Sequence, residues 1–409
     1  MIGCDTKRKT VSISLAAIML VVALLLSACA PGPAEEARVV KIGYIAPLTG
    51  GPAPIMQLGW RNLMDYLSWF EKTRPSEITF PSDVKVELVW ADSSFEAAKA
   101  ISVYERMRDE IVFIHLPSPT EATALKPRLE RDGIPAMTMS VSEDLMYPPT
   151  WIFAIYGTES ERFAAVCDWI MANWKEERPP RIGMIGTDTP SGRAAEVMGT
   201  KYAQSLGIQM LPFEAVPYLP LDVTPQLLRL SNQGADFIYN TSTWVTVVPI
   251  MKDAERLGLI GKIRFGGGIE DTQSLELIDA LGPLAEGYFH ARYCPWYKEA
   301  PILWEILRQY RGKLDTSGGG ATTLLYGPVP IEAIGRAIQK VGLENVDGQA
   351  VKEALYTIKD YDPHHIGRPV SYSPEDHRGA PKVRMYVVQN GDVIPIGDWV
   401  DAHMLIPER

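Results

Sequence analysis

Four short runs along the chain carry groups of the kind that can hold a small polar molecule. Each stands directly behind an apolar segment: Ser118-Pro119-Thr120-Glu121, Ser140-Val141-Ser142-Glu143, Asn240-Thr241-Ser242-Thr243-Trp244, and Gly266-Gly267-Gly268-Ile269-Glu270-Asp271. Hydroxyls beside the free N–H groups of a helix start accept a carboxylate. A carboxylate such as Glu270 in a closed site pairs with an ammonium, and an indole such as that of Trp244 stacks on a ligand or packs a helix start. A purely local reading accounts for the same residues. Ser118 with Glu121, and Ser140 with Glu143, spell a capping box, and Glu270 suits a solvated helix start. At Ser118 the two readings are compatible. A fifth run, Asp188-Thr189-Pro190-Ser191-Gly192, follows another apolar segment.

Reactive chemistry has little support. No Gly-x-Ser-x-Gly elbow occurs, and no Gly-Lys-Ser/Thr follows the glycine runs at 266–268 and 318–320. A secreted hydrolase would have to rest on Ser142 or Asp188. His364, His365, Asp376 and His377 are the one histidine cluster, and Asp362-Pro363 makes a turn a better reading of it than a metal site. The expectation is a binding protein with no catalytic residue, metal or cofactor.

The runs lie where an α/β alternation would put them. Strands are expected at 39–45, 84–90, 111–116, 134–139 and 151–155, with helices at 60–70, 96–108 and 120–131 between them. After Glu159 the alternation restarts. Helices at 160–174, 191–206, 225–232 and 246–257 alternate with strands at 181–187, 208–215, 236–242 and 263–267. A strand at 288–293 and helices at 301–313, 324–341 and 349–358 follow, then a hairpin turning on Asn390-Gly391. Such alternation predicts parallel sheets with crossover helices, in two similar halves. Asp315 to Gly320 reads as a polar loop.

The chain has 409 residues, 46% hydrophobic and 22% charged, with 33 Gly and 32 Pro. That is ordinary globular composition, long enough for two or three domains. A net charge of −10 without long basic blocks argues against nucleic acid. The first residues are an address: Lys7, Arg8 and Lys9, an apolar run from Val11 to Leu26, then Leu26-Ser27-Ala28-Cys29. That spelling resembles a bacterial lipoprotein signal, which implies cleavage after residue 28, a lipid on Cys29, a tether over 29–38 and an extracytoplasmic location. An ordinary secretory signal or an uncleaved anchor helix fits the same layout. Cys167 falls on an apolar helix face and reads as a buried thiol; spacing gives no support for pairing it with Cys294.

Lys41-Ile42-Gly43-Tyr44-Ile45-Ala46-Pro47-Leu48-Thr49-Gly50 resembles the opening of the branched-chain amino acid (Leu/Ile/Val-binding) family of ABC-transporter substrate-binding proteins. Gly133 to Thr138, Arg181 to Ile185, Gly234 to Ile238 and the Tyr326 segment continue the likeness over about residues 39–400. The resemblance implies the type I periplasmic-binding fold: two doubly wound parallel-sheet lobes joined by a three-crossing hinge. It places lobe one at 39–156 plus 294–367 and lobe two at 157–293 plus 368–409, with crossings near Gly157, Tyr293 and Arg368. It implies that a ligand carboxylate meets Ser118 or Thr120, that Ser140, Val141 and Ser142 line the cleft, and that Glu270 takes the ammonium. Ser191 stands where the family often has an aromatic residue, and a second aromatic falls on Thr243 or Trp244. The expected partners are an amino acid or amide-like small molecule and an ABC permease in the membrane, with the protein itself a monomer. A sensing domain of a membrane signalling complex is the alternative.

Overall fold

The computed structural model describes residues 38–50, 53–139, 142–268, 275–311, 324–366 and 368–407. Cys29, the leader, Ser140, Val141, Glu270 and the loop expected at 315–320 lie outside them.

Strand β1 (Arg38–Ala46) explains its own sequence. Val40, Ile42, Tyr44 and Ala46 enter one core cluster, and Ile45 enters another. A strand covered on both faces reads as a nearly unbroken apolar run. It joins β2 (Val84–Asp92), β3 (Phe113–His115), β4 (Ala136–Thr138) and β5 (Ile152–Ala154) in the order β2-β1-β3-β4-β5. The β1/β3, β3/β4 and β4/β5 pairs are parallel. Strand order reverses at β1, so a crevice opens between the carboxyl ends of β1 and β3, the usual place for a ligand in such sheets. Helix α1 (Ala53–Thr73) buries Leu63, Tyr66 and Phe70 on one face of the sheet. Helices α2 (Ala97–Met107) and α3 (Pro119–Asp132) bury Val103, Tyr104, Leu125 and Leu129 on the other. A short helix α4 (Glu143–Met146) precedes β5.

The second sheet follows α5 (Glu159–Asn173). It contains β6 (Arg181–Gly186), β7 (Gln209–Met210), β8 (Glu214–Ala215), β9 (Phe237–Asn240), β10 (Arg264–Gly267), β11 (Phe289–Arg292), β12 (Lys382–Gln389) and β13 (Asp392–Asp401). Their order is β13-β12-β11-β10-β9-β6-β7, with β8 also on β6. Pairings are parallel from β7 to β11 and antiparallel for β11/β12 and β12/β13. Helices α6 (Pro190–Ser205), α7 (Thr224–Asn232), α8 (Trp244–Arg256) and α9 (Leu275–Leu281) connect them. The closing hairpin turns on Asn390 and Gly391 at φ 52° and 75°, the left-handed pair a two-residue turn needs.

Two expectations are corrected. The strand expected at 208–215 is two pieces, β7 and β8, both on β6; Pro212 between them has no N–H for a ladder. The helix expected at 324–341 turns at Gly327, and α11 (Pro328–Val341) starts with Pro328 in its first turn.

The late helices return to the first sheet. In α10 (Pro301–Arg311), Arg311 Nε lies 2.7 Å from Asp65 Oδ2 of α1. Glu332 of α11 accepts from Thr79 N at 2.5 Å. Helix α12 (Gly348–Tyr356) touches the loop before β4 so closely that a Cβ on Gly348 would lie 2.0 Å from Gly133 O. Residues 370–380 then run beside β5, with Ala154 bridged to Arg378 in parallel register.

Candidate functional site

At the carboxyl edge of the first sheet, Ser118 is the N-cap of α3, with extended backbone and Pro119 behind it. Ser118 and Glu121 form no capping box: the Ser118 side chain caps no helix N–H. Glu121 is fully buried and turns to Ser93, whose hydroxyl donates to Oε1 at 2.5 Å. Thr120 is half-buried in the same turn. Ser142 is the N-cap of α4, again without a side-chain cap. Glu143 accepts from Thr158 Oγ1 at 2.6 Å, and burial pushes its carboxyl up to about 7. Ser118 and Ser142 therefore stand at the carboxyl ends of neighbouring strands.

Asp92 builds the adjoining loop. Its Oδ1 accepts from the N–H groups of Leu48 (2.8 Å), Thr49 (3.1 Å) and Ser94 (2.8 Å), and its Oδ2 from the hydroxyls of Thr49 and Ser94. Burial works to raise the carboxyl, but the hydrogen bonds from Thr49, Ser94 and Lys99 hold it well below the usual carboxylate range. Sequence reading identifies Lys41 to Gly50 only as a family-like opening and does not select Asp92, which stands 44 residues after Leu48.

At the carboxyl edge of the second sheet, α6 and α8 begin behind neighbouring strands β6 and β9. Thr189 caps α6 by accepting from Gly192 N at 3.2 Å. Ser191 lies in the first turn of α6. Asp188 is 69% exposed and paired with Arg193 at 2.9 Å, a poor setting for a catalytic base. Thr243 is the N-cap of α8, but its hydroxyl donates to Tyr218 OH at 3.1 Å and caps no helix N–H. Tyr218 comes from the loop after β8 and brings an aromatic ring to this edge, a residue that the sequence reading did not select. Trp244 is partly buried, with Nε1 lacking a hydrogen-bond partner among the described residues.

The chain passes between the sheets beside a dense polar cluster. Tyr293 OH donates to Thr158 O at 2.7 Å, and the Tyr156 and Tyr293 rings stack at 4.9 Å. Arg368, fully buried, donates to Tyr293 O at 2.9 Å and to Ala380 O and Lys382 O at 2.7 Å. Arg378 and Glu161 form a buried pair at 2.7 Å. Thr158 and Glu161 form the reciprocal capping box of α5. A Cβ on Gly157 would lie 2.4 Å from Glu161 Oε2, so the crossing tolerates only glycine without rearrangement.

The remaining candidates separate. His364 contacts Tyr66 OH (2.7 Å) and Glu77 (3.1 Å), whereas His377 contacts Tyr356 OH (2.9 Å) and Ile152 O (3.0 Å). Among the described residues no cluster of His, Cys, Asp and Glu suits a metal ion. Cys167 is a free, buried thiol, and Cys294 is buried as well. A surface cavity of about 700 Å³ is bordered by Arg108, Arg131, Asp132, Trp151 and Asp347 at the amino ends of β3 and β4. It faces away from the helix starts, and both of its arginines, Arg108 and Arg131, pair with Asp132 at 3.1 and 2.6 Å.

Residues 39–392 match the model of the family described as periplasmic binding protein. No curated protein matches the sequence. Among solved structures, the fold is similar to a branched-chain amino acid ABC transporter from Thermus thermophilus with bound valine: 22% identity, TM-score 0.79, covering 89% of this chain and 97% of that one. It is also similar to a fatty acid ABC transporter substrate-binding protein from Thermomonospora curvata, at 17% identity and TM-score 0.75, over 92% and 97% of the two chains. A solute binding protein of an ABC transporter from Rhodopseudomonas palustris HaA2, in complex with p-hydroxybenzoic acid, aligns at 16% identity and TM-score 0.73, over 90% and 98%.

Proposed function

The chain belongs to the periplasmic binding protein family, and from that membership we propose that it captures a small solute between two α/β lobes and delivers it to an ABC permease. It is a binder and not an enzyme. The observation that carries this reading is that each sheet presents helix starts at the carboxyl ends of adjacent strands: Ser118 and Ser142 on one, Ser191 and Thr243 on the other. Two such edges facing a common cleft close on a ligand by hinge motion, and the ligand stabilises the closed state through contacts with both.

The lobes of this proposal are 39–156 with 294–367, and 157–293 with 368–409. The run of 370–380 beside β5 favours drawing the third crossing toward Gly379. Thr120, Ser140, Val141, Trp244 and Glu270 complete the proposed lining. The solute is an amino acid or a related small polar compound; the relatives above were solved with, or are named for, valine, p-hydroxybenzoic acid and fatty acid, so the fold leaves that choice to the lining. The protein acts outside the cytoplasm as a monomer, held to the membrane by lipid on Cys29. Among the described residues no helix is long and apolar enough to cross a membrane.

A thermal-shift panel of amino acids, amides, aromatic acids and polyols tests the binding reading. A ligand at 100 times its Kd adds about 2.7 kcal/mol to stability. A flat panel, with no solute released on denaturation, counts against it. Cys29→Ser tests the anchor: the variant should leave the membrane fraction, and retention there refutes a lipid on that residue.

A further inference from the structure

We propose that Glu121 contacts the solute directly, and that the group it receives is a donor nitrogen, an ammonium or amide N–H, not a carboxylate. The proposal rests on the solute-binding reading above and names the chemistry of one end of that site. Three observations meet at this residue.

The first is its position. Ser93 N donates to Ala46 O, the last residue of β1, at 2.9 Å, and Ser93 Oγ donates to Glu121 Oε1. Glu121 itself lies in the first turn of α3, just past β3. Its carboxylate therefore lies at the carboxyl ends of β1 and β3, where the strand order reverses.

The second is its unmet capacity. Glu121 is 0% exposed, and Oε2 has no hydrogen-bond partner among the described residues. An ionised carboxylate offers about four acceptor sites. A glutamate at this helix position ordinarily turns back to the N-cap N–H, as Glu161 does in α5 of this same protein. In α3 it does not.

The third is the charge around it. Glu121 supplies the negative charge that the α3 start attracts, so a ligand carboxylate arriving there meets a like charge. Among the described residues no side-chain cation pairs with it. His115 is buried and neutral, its pKa pushed down to about 3 by burial, and Lys99 is committed to Ser94 and Asp92 at 2.6 and 3.3 Å. A donor nitrogen on the solute completes the pairing; a carboxylate does not.

Butylamine, butyramide and butyrate share a carbon skeleton and differ in the group offered. Binding of each to the purified protein is followed by thermal shift, with mass spectrometry of any solute released on denaturation. The expected result is that butylamine and butyramide raise the melting temperature and butyrate does not, while Glu121→Gln weakens butylamine at least tenfold without lowering the melting temperature of the unliganded protein. Glu121→Asp, which keeps the charge but retracts it, should weaken both nitrogen probes and serves if the Gln variant fails to fold. Stabilisation by butyrate alone overturns the donor assignment yet leaves solute binding intact. Undiminished binding of butylamine by either variant also overturns it. If no probe binds, a released solute with a donor nitrogen supports the assignment and a carboxylate without one overturns it; no probe bound and no solute released sinks both readings.

Discussion

Arg368 Nε donates to the backbone carbonyl of Tyr293 at 2.9 Å. The same guanidinium reaches Ala380 O and Lys382 O, so one buried side chain ties two passages of the chain between the sheets. Arg368→Met keeps the volume and removes every donor. Leaving buried carbonyls unmet costs about 1–3 kcal/mol each, and a loss of at least about 3 kcal/mol is expected in urea unfolding. Arg368→Lys should recover only part of it, because an ammonium lacks the planar fork. Wild-type stability in the Met variant would remove Arg368 from this role.

Tyr293→Phe is a gentler probe of the same region. It deletes the hydroxyl donated to Thr158 O and keeps the ring stacked on Tyr156. A loss of about 1 kcal/mol is expected. If solutes close the two sheets about this crossing, the variant should also shift ligand affinity without touching any lining residue, measurable by calorimetry.

Glu143 makes stability depend on pH. Its carboxyl is raised on folding, by burial, from 4.5 to about 7. Below pH 4.5 it is protonated in both states and carries no penalty. Above 7 it is ionised in both, and only the folded state bears the desolvation. Its contribution to stability is therefore lost as pH rises from 4.5 through 7, by about 3 kcal/mol at 1.36 kcal/mol per pH unit. Glu143→Gln should remove this component. The stability difference between variant and wild type, followed by urea unfolding, should grow in favour of the variant from pH 4 to pH 8; a constant difference contradicts the assignment.

Asp92 holds its loop through backbone donors, so Asp92→Ala strands the N–H groups of Leu48, Thr49 and Ser94. We expect a loss of about 2–3 kcal/mol and faster amide hydrogen exchange at Thr49. Asp92→Asn, which keeps one carbonyl oxygen, should lie between. Unchanged exchange at Thr49 would show that other contacts fix the loop.

Cys167 is a buried free thiol. Burial pushes the Cys167 thiol well up, which disfavours the reactive thiolate. Cys167 should not react with a thiol reagent in the folded protein, and should after denaturation without reductant. A Cys167–Cys294 disulfide would leave Cys167 unreactive in both states.

Much of the fold was legible because local patterns and tertiary roles agree. Val39 to Ile45 reads as a strand because both its faces are covered, and Asn390-Gly391 reads as a hairpin turn because only such residues take two left-handed positions cheaply. The misreadings fell where one residue overrides a pattern: Pro212 splits an apolar strand, and Gly327 with Pro328 resets a helix. Ser118 and Ser142 were found from hydroxyls behind strands, and both are N-caps. The box read for Ser118 with Glu121 does not form, and Glu121 and Glu143 bond to Ser93 and Thr158 on other elements; Ser140, the partner read for Glu143, lies outside the described residues.

The sequence by itself determined the α/β alternation, the strand and helix order, the acidic balance and the helix starts that carry hydroxyls. These depend on periodicity and short-range backbone chemistry, which a linear string displays directly. The tertiary structure puts β12 and β13 on the second sheet and returns α10 to α12 to the first, a crossing that periodicity does not display. It alone brought Arg368 to Tyr293, Arg378 to Glu161, and Glu121 to the end of β1. Those choices depend on which distant groups share a dry interior, where an unmet charge or carbonyl is costly. Partners far apart in the chain leave no spacing to read.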